Sequence, residues 1–249
     1  MTRTETRSRR GARLSLIIPM HNEAAVLPTT LAAIKAALGG LGVEYEIIGV
    51  DDGSTDETVQ RVVSGDRVTL LRLAANSGQS AAMHAGFAAA RGQCIAMLDG
   101  DLQNDPADLP ALLQRLDEGW DLVCGYRAKR QDSWFKRLQS RIANAVRSRF
   151  IGDQVRDTGC TLKVMRAACR DALPLFHGMH RFIPALVGGM GWRVTEMPVN
   201  HRPRLHGVSK YGFGNRAWRA TVDMFGVRWL NQRRLAYRDK AGAQSGSGD

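Results

Sequence analysis

The chain has 249 residues, 44% of them hydrophobic, and a formal net charge of +11. This length is enough for one large α/β core. The chain contains no run of 18 apolar residues, so we do not expect a membrane-spanning helix. Residues 14–126 carry 6 Lys+Arg against 15 Asp+Glu, whereas residues 127–249 carry 24 basic against 8 acidic residues. A basic second half indicates an anionic partner, either acidic lipid or nucleic acid, or a surface that serves solubility alone.

Composition also divides the chain. Residues 1–13 are Arg-rich and only the short apolar run from Leu14 follows them, so we do not expect a secretory signal here. We predict a disordered basic N-terminus at 1–13, a catalytic domain at 14–213, an amphipathic segment at 214–238 and a disordered tail at 239–249. The four cysteines lack paired Cys-x-x-Cys spacing, which indicates buried thiols in a reducing, cytoplasmic compartment.

Strands and helices alternate through the first half of the chain. An apolar strand begins at Leu14, and Asn22 is a plausible N-cap for a helix at 23–38. Further strands are predicted at 44–50, 67–73, 93–98 and 121–124, with helices opening at 55 or 56 and spanning 78–91 and 106–118. This alternation predicts an α/β fold whose parallel strands are joined by right-handed crossovers.

The second half is organised differently. An amphipathic helix is predicted at 133–150, a strand at 192–200, a basic loop at 202–214 and a second amphipathic helix at 215–230. The last helix carries Trp218, Val222, Phe225 and Trp229 on one stripe, with arginines beside it. This composition suits a helix that lies in a membrane interface, and it suits equally a helix that packs on its own core.

Carboxylates and amides follow two of the predicted strands. Asp99, Asp101 and Gln103 come directly after the apolar run 95–98, and Asp51 and Asp52 end the strand at 44–50. The carboxyl ends of strands in an open α/β sheet form one ligand-binding edge. An oxygen-only set of this kind is typical of Mg²⁺ or Mn²⁺.

These blocks recur in an order that resembles a known family. They are Asp51-Asp-Gly-Ser-Thr-Asp, Asn76-Ser-Gly-Gln, Asp99-Gly-Asp-Leu-Gln, Gly125-Tyr-Arg127, Asp157-Thr-Gly-Cys160 and Arg204-Leu-His-Gly-Val-Ser-Lys210. The chain from Leu14 to Asn231 resembles the family 2 glycosyltransferases, most of all polyprenyl-phosphate sugar transferases of the dolichol-phosphate mannose synthase type. The resemblance implies a GT-A fold, which is a Rossmann-like, mostly parallel sheet flanked by helices, with C-terminal amphipathic helices.

The resemblance also implies a donor site. Pro19, Glu23 and Asp52 would hold the nucleoside, with Asp51 nearby. Asn76 and Gly78 would support the base pocket, or equally would serve only as a helix N-cap and a turn. Asp101 and Gln103 would bind Mg²⁺ or Mn²⁺, and Asp99 would either join them or support them. Arg204 and Lys210 would lie on a mobile loop that closes over the diphosphate.

On the acceptor side, the resemblance implies that Arg127, Arg137 and Ser140 bind a lipid phosphate. Asp157 would lie near the anomeric carbon, either as a base or as a group that orients the sugar. A phosphate monoester is mostly doubly ionised at neutral pH, with a second pKa of about 6, and can attack without a strong base. We therefore favour the orienting role, with single displacement and inversion.

The expected reaction is transfer of a sugar from a GDP- or UDP-linked donor to undecaprenyl or dolichyl phosphate. It would occur at the cytoplasmic face of a membrane with anionic lipid. A transferase that acts on a sugar hydroxyl is the alternative, and Asp157 would then be an indispensable base. A nucleic-acid-binding module is disfavoured because no such motif appears, and the intact metal set disfavours an inactive scaffold. The sequence leaves open the sugar, the base, the polyprenol length, and the need for a small membrane-protein partner or a homo-oligomer.

Overall fold

The computed structural model describes residues 13–62, 67–128, 147–153, 155–202 and 213–234, without the side chains of 171, 172 and 213–219. The strands are β1 (Leu14–Met20), β2 (Tyr45–Asp51), β3 (Val68–Arg72), β4 (Cys94–Met97), β5 (Leu122–Arg127), β6 (Lys163–Arg166) and β7 (Val194–Val199). The α-helices are α1 (Leu27–Gly39), α2 (Thr58–Arg61), α3 (Gln79–Ala89), α4 (Leu109–Asp117), α5 (Ile183–Gly189) and α6 (Phe213–Arg233). Short 3-10 helices lie at Pro106–Asp108, Ala167–Ala172 and Met179–Arg181.

The seven strands form one sheet in the order β3-β2-β1-β4-β6-β5-β7. β1 pairs in parallel with β2, with Leu14 opposite Tyr45, and with β4, with Leu14 opposite Cys94. β5 and β7 are also parallel, and only β6 runs antiparallel to its two neighbours within this sheet. The predicted α/β class with a mostly parallel sheet is therefore confirmed.

Helices cover both faces of the sheet, and almost every residue of β1 and β2 is therefore buried. Side chains alternate along β1, so that Leu16 and Ile18 join one hydrophobic cluster with α1 and α4. Ile17 points to the other face and packs with Met83 and Phe87 of α3. The helices thus enclose a continuous three-layer core, and the polar groups are left at the ends of the strands.

β6 has the largest effect on the edge where the site lies. Its first residue, Lys163, is opposite Met97 of β4 and Cys124 of β5. Because β6 is antiparallel to both, it begins at the edge where β4 and β5 end. The segment 157–162 therefore crosses that edge, although the sequence pattern predicted no strand here.

The predicted N-cap role of Asn22 is wrong. α1 begins at Leu27, and Val26 occupies the N-cap position without a side-chain hydrogen bond. Asn22 adopts a positive φ of 56°, and its Oδ1 accepts a hydrogen bond from the Thr55 backbone N–H at 2.8 Å. The side chain joins the two loops that follow β1 and β2, and this long-range bond replaces the local cap.

Helix α6 packs on the core with one face and exposes the other. Met224, Val227 and Leu230 pack against the second hydrophobic cluster, whereas Phe225 and Trp229 are 60% and 62% exposed. The part of the apolar stripe that the structure describes therefore does not belong to the chain's own core. In the described ranges, we find no helix with the length and apolarity needed to cross a membrane.

Several predictions fall outside the described ranges. They include most of the helix predicted at 133–150 and both predicted disordered termini. The proposed boundaries at 13/14, 213/214 and 238/239 stay predictions.

All four cysteines are free and buried, as their spacing predicted. Burial raises the pKa of the Cys124 thiol to about 12, and it also raises the pKa of Cys169 to about 12. Burial likewise raises the pKa of the Cys94 and Cys160 thiols above the usual range. The thiols are therefore protonated packing groups.

The contact between α3 and β1 gives a test of the core. A Cβ added at Gly86 would lie 2.5 Å from Cγ2 of Ile17, whereas one added at Gly39 would meet nothing within 4 Å. We expect Gly86→Ala to lower the free energy of unfolding by about 1–3 kcal/mol because the core is overpacked. Gly39→Ala should raise it by about 0.4–1 kcal/mol through the unfolded chain's entropy. Urea unfolding of both variants measures the difference, and equal effects would contradict the described packing.

Candidate active site

A cleft of about 440 Å³ opens at the carboxyl ends of β1, β2 and β4. It brings together residues from six separate segments of the chain. The sequence-predicted residues that line it are Pro19, Glu23, Asp52, Asn76, Gly78, Asp99, Asp101 and Gln103. The cleft is therefore the structural counterpart of the predicted donor site.

Asp52 holds one wall of this cleft in place. Its Oδ1 accepts a hydrogen bond from the Ser77 N–H at 2.6 Å and its Oδ2 accepts one from the Gly78 N–H at 2.9 Å. The next residue, Gly53, has a φ of 65°, and a Cβ there would lie 2.6 Å from the backbone nitrogen of Asn76. The Asp-Gly pair thus lets two loops approach closely enough to form the wall.

Asp51 has a different position from its neighbour. It is 2% exposed, does not line the cleft, and accepts a hydrogen bond from the Ser54 N–H at 3.2 Å. Its visible role is to close the turn after β2. Beside it, Nδ1 of His21 lies 2.9 Å from the Asp52 carbonyl oxygen, to which it donates, and the His21 ring lines the cleft.

The opposite wall contains the Asp99-x-Asp101-x-Gln103 group. Both oxygens of Asp99 accept hydrogen bonds, one from Gln79 Nε2 at 2.8 Å and one from Thr161 Oγ1 at 2.6 Å. These two donors fix the plane of the Asp99 carboxylate. Oδ1 of Asp101 accepts a hydrogen bond from the Gln103 N–H at 3.1 Å.

Leu102 connects the two predicted metal ligands in a conformation that is uncommon for its residue type. Its φ of 59° lies in the left-handed region, which is energetically unfavourable for a residue that has a Cβ atom. Its side chain is only 3% exposed, so burial offsets that cost. With Leu102 directed into the protein, Asp101 and Gln103 on either side both line the cleft.

This donor set fits a hard divalent cation. Asp99, Asp101 and Gln103 offer only oxygen atoms, which suits Mg²⁺ and Mn²⁺. Within the described ranges there is no group of three or more His, Cys, Asp or Glu residues that could hold a metal. A cation here would therefore have few protein ligands, as is usual for Mg²⁺ that also binds water and substrate phosphates.

Arg127 and Asp157 form a bidentate ion pair beside the cleft. The distances are 2.7 Å from Arg127 Nε to Oδ2 and 2.8 Å from the guanidinium Nη2 to Oδ1. The Arg127 and Gly159 backbone N–H groups also donate to this carboxylate, each at 3.2 Å. Each oxygen of Asp157 thus accepts at least two hydrogen bonds, an arrangement that favours a positioning role over proton abstraction.

Glu196 of β7 fixes the turn that precedes this ion pair, and the sequence analysis missed it. Its Oε1 accepts hydrogen bonds from the Arg156 N–H at 2.8 Å and the Asp157 N–H at 3.4 Å. Burial raises the pKa of the Glu196 carboxyl above its usual value, although these backbone donors oppose the shift. Glu196 is therefore a mostly buried acceptor, with a side chain 11% exposed, that sets the position of Asp157.

Other residues in the cleft were also missed. They are Gln79, Thr158, Thr161, Lys163, His180 and Arg181. A lysine inside the otherwise apolar run 162–165 was the one available indication, because buried lysines are rare. Gln79 and Thr158 lie within the blocks Asn76-Ser-Gly-Gln and Asp157-Thr-Gly-Cys160, whereas Thr161, His180 and Arg181 carry no local pattern that separates them from ordinary surface residues.

Four predicted site residues lie outside the described residues. They are Arg137, Ser140, Arg204 and Lys210. Their assignment to the acceptor phosphate and to the diphosphate stays a prediction.

The fold matches solved glycosyltransferase structures. Glucosyl-3-phosphoglycerate synthase from Mycobacterium tuberculosis, in complex with Mn²⁺, UDP and phosphoglyceric acid, has a TM-score of 0.65 over 92% of this chain and 81% of that chain, at 18% identity. The same enzyme with Mg²⁺ and UDP has a TM-score of 0.65 over 88% and 80%, also at 18% identity. The sheet and its cleft define a protein with the GT-A fold. Residues 15–172 match the glycosyl transferase family 2, and the chain belongs to that family.

Two curated relatives are similar over much of the chain. Dodecaprenyl-phosphate galacturonate synthase of Rhizobium johnstonii is 39% identical over 243 residues, which is 94% of this chain and 70% of that protein. Undecaprenyl-phosphate 4-deoxy-4-formamido-L-arabinose transferase of Edwardsiella ictaluri is 40% identical over 206 residues, which is 80% of this chain and 63% of that protein. The chain thus spans about two thirds of the length of these relatives.

The raised pKa of Glu196 predicts a pH-dependent stability. A carboxyl with a higher pKa in the folded state keeps its proton longer, so the free energy of unfolding falls as pH rises above 4.5, its ordinary pKa. Glu196→Gln keeps an acceptor oxygen but cannot ionise, and it should flatten this part of the stability–pH curve. Glu196→Ala loses both hydrogen bonds and should be less stable at every pH. Urea unfolding from pH 4.5 to 7 tests this, and an unchanged slope in Glu196→Gln would contradict it.

Proposed function

We propose that the chain transfers a sugar from a nucleoside-diphosphate sugar to the phosphate of a polyprenyl phosphate, such as undecaprenyl or dolichyl phosphate. One observation carries the proposal. Two relatives that are 39% and 40% identical are named for different sugars, yet both are named for a polyprenyl-phosphate product or acceptor. The acceptor class is thus what the relatives have in common, and the family membership supplies the sugar-transfer chemistry.

In this proposal the cleft binds the donor. The loop held by Asp52, together with Pro19, Glu23 and Asn76, forms the nucleoside end. Asp101 and Gln103 would hold Mg²⁺ or Mn²⁺ beside the donor's diphosphate, and Asp99 supports that wall through Gln79 and Thr161. When bound, the cation supplies Lewis-acid stabilisation of the negative charge on the leaving diphosphate.

Two cationic residues from the family resemblance complete the donor side. Arg204 and Lys210 close over the diphosphate and add positive charge where the leaving group becomes more negative. Loop closure also excludes water, which protects the donor from hydrolysis.

The acceptor phosphate binds beside Asp157. Arg127, Arg137 and Ser140 orient it, and Asp157 holds the Arg127 guanidinium through two hydrogen bonds. An ionised phosphate is itself the nucleophile, so it attacks in a single displacement with inversion. A sugar-hydroxyl acceptor would need Asp157 as a base, but Arg127 and Gly159 already donate to both of its oxygens.

Helix α6 brings the enzyme to its lipid substrate. Val222, Phe225 and Trp229 form an exposed apolar stripe. Arg233 at the end of the same helix can meet anionic head groups, whereas Arg228 stacks on the Phe150 ring and donates to the Phe150 carbonyl. The helix therefore lies in the membrane interface, on the cytoplasmic face where nucleotide sugars are available.

The metal assignment predicts the effect of one substitution. Asp101→Asn removes a charged ligand, and we expect transfer to fall by at least about 10–100-fold, with unchanged thermal stability because the residue lies at an open edge. Asp105→Asn is the matched control, since Asp105 lies outside the cleft, caps the 3-10 helix at Pro106–Asp108 and pairs with Arg202. The assay supplies undecaprenyl phosphate, Mg²⁺ or Mn²⁺ and a panel of UDP- and GDP-linked sugars.

Two results would contradict these assignments. Full activity of the wild type under strong chelation would contradict the metal assignment. The proposed acceptor would be wrong if no donor in the panel supported transfer to undecaprenyl phosphate and transfer to a sugar hydroxyl was found instead.

The membrane assignment predicts the effect of a double substitution. Phe225→Ser/Trp229→Ser should abolish sedimentation with vesicles that contain anionic lipid, because it removes the apolar stripe. Thermal stability should fall only slightly, since both side chains are mostly exposed and the substitution removes one edge-to-face contact, that of Phe225 with Phe150. Leu175→Ser is the control, because Leu175 is 57% exposed but lies elsewhere, and it should bind like the wild type. Binding to the vesicles should weaken with salt. A double variant that still sediments with the vesicles would contradict the proposed contact between α6 and the membrane.

A further inference from the structure

The segment that follows β7 lies against the segment that carries the predicted metal ligands. The backbone N–H of Arg202 donates to the Gln103 carbonyl at 2.8 Å. One residue earlier, His201 pairs with Asn104 in an isolated antiparallel bridge. Two parts of the chain that are far apart in sequence therefore share main-chain contacts directly beside the metal ligands.

Gln103 is held on both sides of its own peptide. Its N–H donates to Oδ1 of Asp101 at 3.1 Å, and its carbonyl accepts from the Arg202 N–H. A continuous series of hydrogen bonds thus runs from residues 200–202, through the main chain of Gln103, to the Asp101 carboxylate. A displacement of residues 200–202 would shift both predicted metal ligands.

The inner side of the metal segment is packed into the protein. Leu102 is 3% exposed and Asn104 is 4% exposed. Oδ1 of Asn104 accepts a hydrogen bond from Sγ of Cys160 at 3.5 Å. The core therefore supports Gln103 from within, and residues 200–202 support it from the outside.

Asp108 holds residues 200–202 in this position. Its Oδ2 accepts a hydrogen bond from the Asn200 N–H at 2.7 Å, and its Oδ1 accepts one from Asn200 Nδ2 at 2.9 Å. The first of these bonds restrains the main chain directly. Arg202 also pairs with Asp105, but that arginine side chain is long and 43% exposed, and exposed ion pairs contribute little. Asn200 and Asp108 are not among the described residues that line the cleft.

We infer that Asn200 and Asp108 are positioning residues for the divalent cation. They hold residues 200–202 against Gln103, and so keep Asp101 and Gln103 in the arrangement that binds Mg²⁺ or Mn²⁺. Ligands that are ordered before binding lose less conformational freedom when the cation binds, so affinity depends on the groups that order them. The inference rests on the metal assignment of the proposed function, and it adds the segment after β7 to that site.

The test compares nucleotide binding with and without the cation. The full chain is titrated with UDP and with GDP, once with Mn²⁺ and once with a strong chelator. Mn²⁺ should raise the wild type's affinity for at least one nucleotide, because the cation joins the diphosphate to the protein. Asn200→Ala, which changes no charge, should reduce this Mn²⁺ effect about 3–10-fold, less than the loss typical of a group bonded directly to a metal ligand. Its nucleotide affinity under chelation should equal that of the wild type.

Asp108→Ala provides a second variant, and we expect the same loss of the Mn²⁺ effect. Asp117→Ala is its control, because Asp117 is a carboxylate at the other end of α4 that pairs with Arg13. The control should bind like the wild type. Equal loss in Asp117→Ala would assign the effect to net charge and overturn the inference.

An exchange of the two side chains tests the cause. Asn200→Asp sets two carboxylates opposite each other, and their repulsion should separate the segments and reduce the Mn²⁺ effect. Asp108→Asn/Asn200→Asp again sets a donor opposite an acceptor and keeps the wild-type net charge. This double variant should recover most of the Mn²⁺ effect, and a double variant no better than Asn200→Asp would contradict the proposed contact.

Thermal unfolding separates positioning from stability. A role in stability alone would lower the unfolding temperature and leave the Mn²⁺ effect unchanged in the folded protein. An unchanged Mn²⁺ effect in Asn200→Ala and Asp108→Ala therefore overturns the inference. A wild type whose nucleotide affinity does not respond to Mn²⁺ overturns the metal assignment and the inference together.

Cation binding and lipid transfer fail separately. A Mn²⁺ effect that Asn200→Ala reduces, without transfer to undecaprenyl phosphate, supports the positioning role and contradicts the proposed acceptor. Transfer to undecaprenyl phosphate with the same Mn²⁺ dependence in Asn200→Ala and the wild type supports the proposed function and overturns the positioning role.

Discussion

The antiparallel pairing of β6 between β4 and β5 is the constraint on which the site depends. In an all-parallel sheet, the residues before a strand lie at the edge opposite the ligand-binding edge. Because β6 is reversed, the segment before it reaches the edge where β4 and β5 end. Thr161 can therefore donate to Asp99 after β4, while Asp157 pairs with Arg127 at the end of β5. One reversed strand of four residues thus connects the cleft to the Arg127–Asp157 ion pair.

The acidic residues of the site act largely by holding other groups. Asp52, Asp99 and Asp157 each accept hydrogen bonds on both carboxylate oxygens. Outside glycine, the positive φ angles among the described residues are those of Asn22 and Leu102, and both lie beside the cleft. Such backbone strain persists where surrounding contacts determine it, as the buried Leu102 side chain does here. The packing of Leu102 in the core therefore helps to set the positions of Asp101 and Gln103 in the cleft.

The sequence predicted the fold well where the signal is local and repeated. Apolar runs located β1, β2 and β4 to within one or two residues, and the polar groups at their ends identified one edge. β6 was missed because its four residues begin and end with Lys163 and Arg166, so it resembles a loop. Asn22 was wrongly assigned as a cap because its hydrogen bond with Thr55 joins residues 33 positions apart, which no local sequence pattern indicates. Glu196 was missed for a related reason, since its role depends on a turn at 156–157 that only folding brings next to β7.

The buried thiols have a practical consequence for studying this enzyme. The thiolate is the reactive form, and all four native cysteines are held protonated within the core. A cysteine introduced on the exposed face of α6 would therefore react with maleimide or a spin label far faster than any native thiol. Depth-dependent quenching of such a probe tests whether the helix enters a lipid bilayer, and the wild-type background needs no prior removal of cysteine.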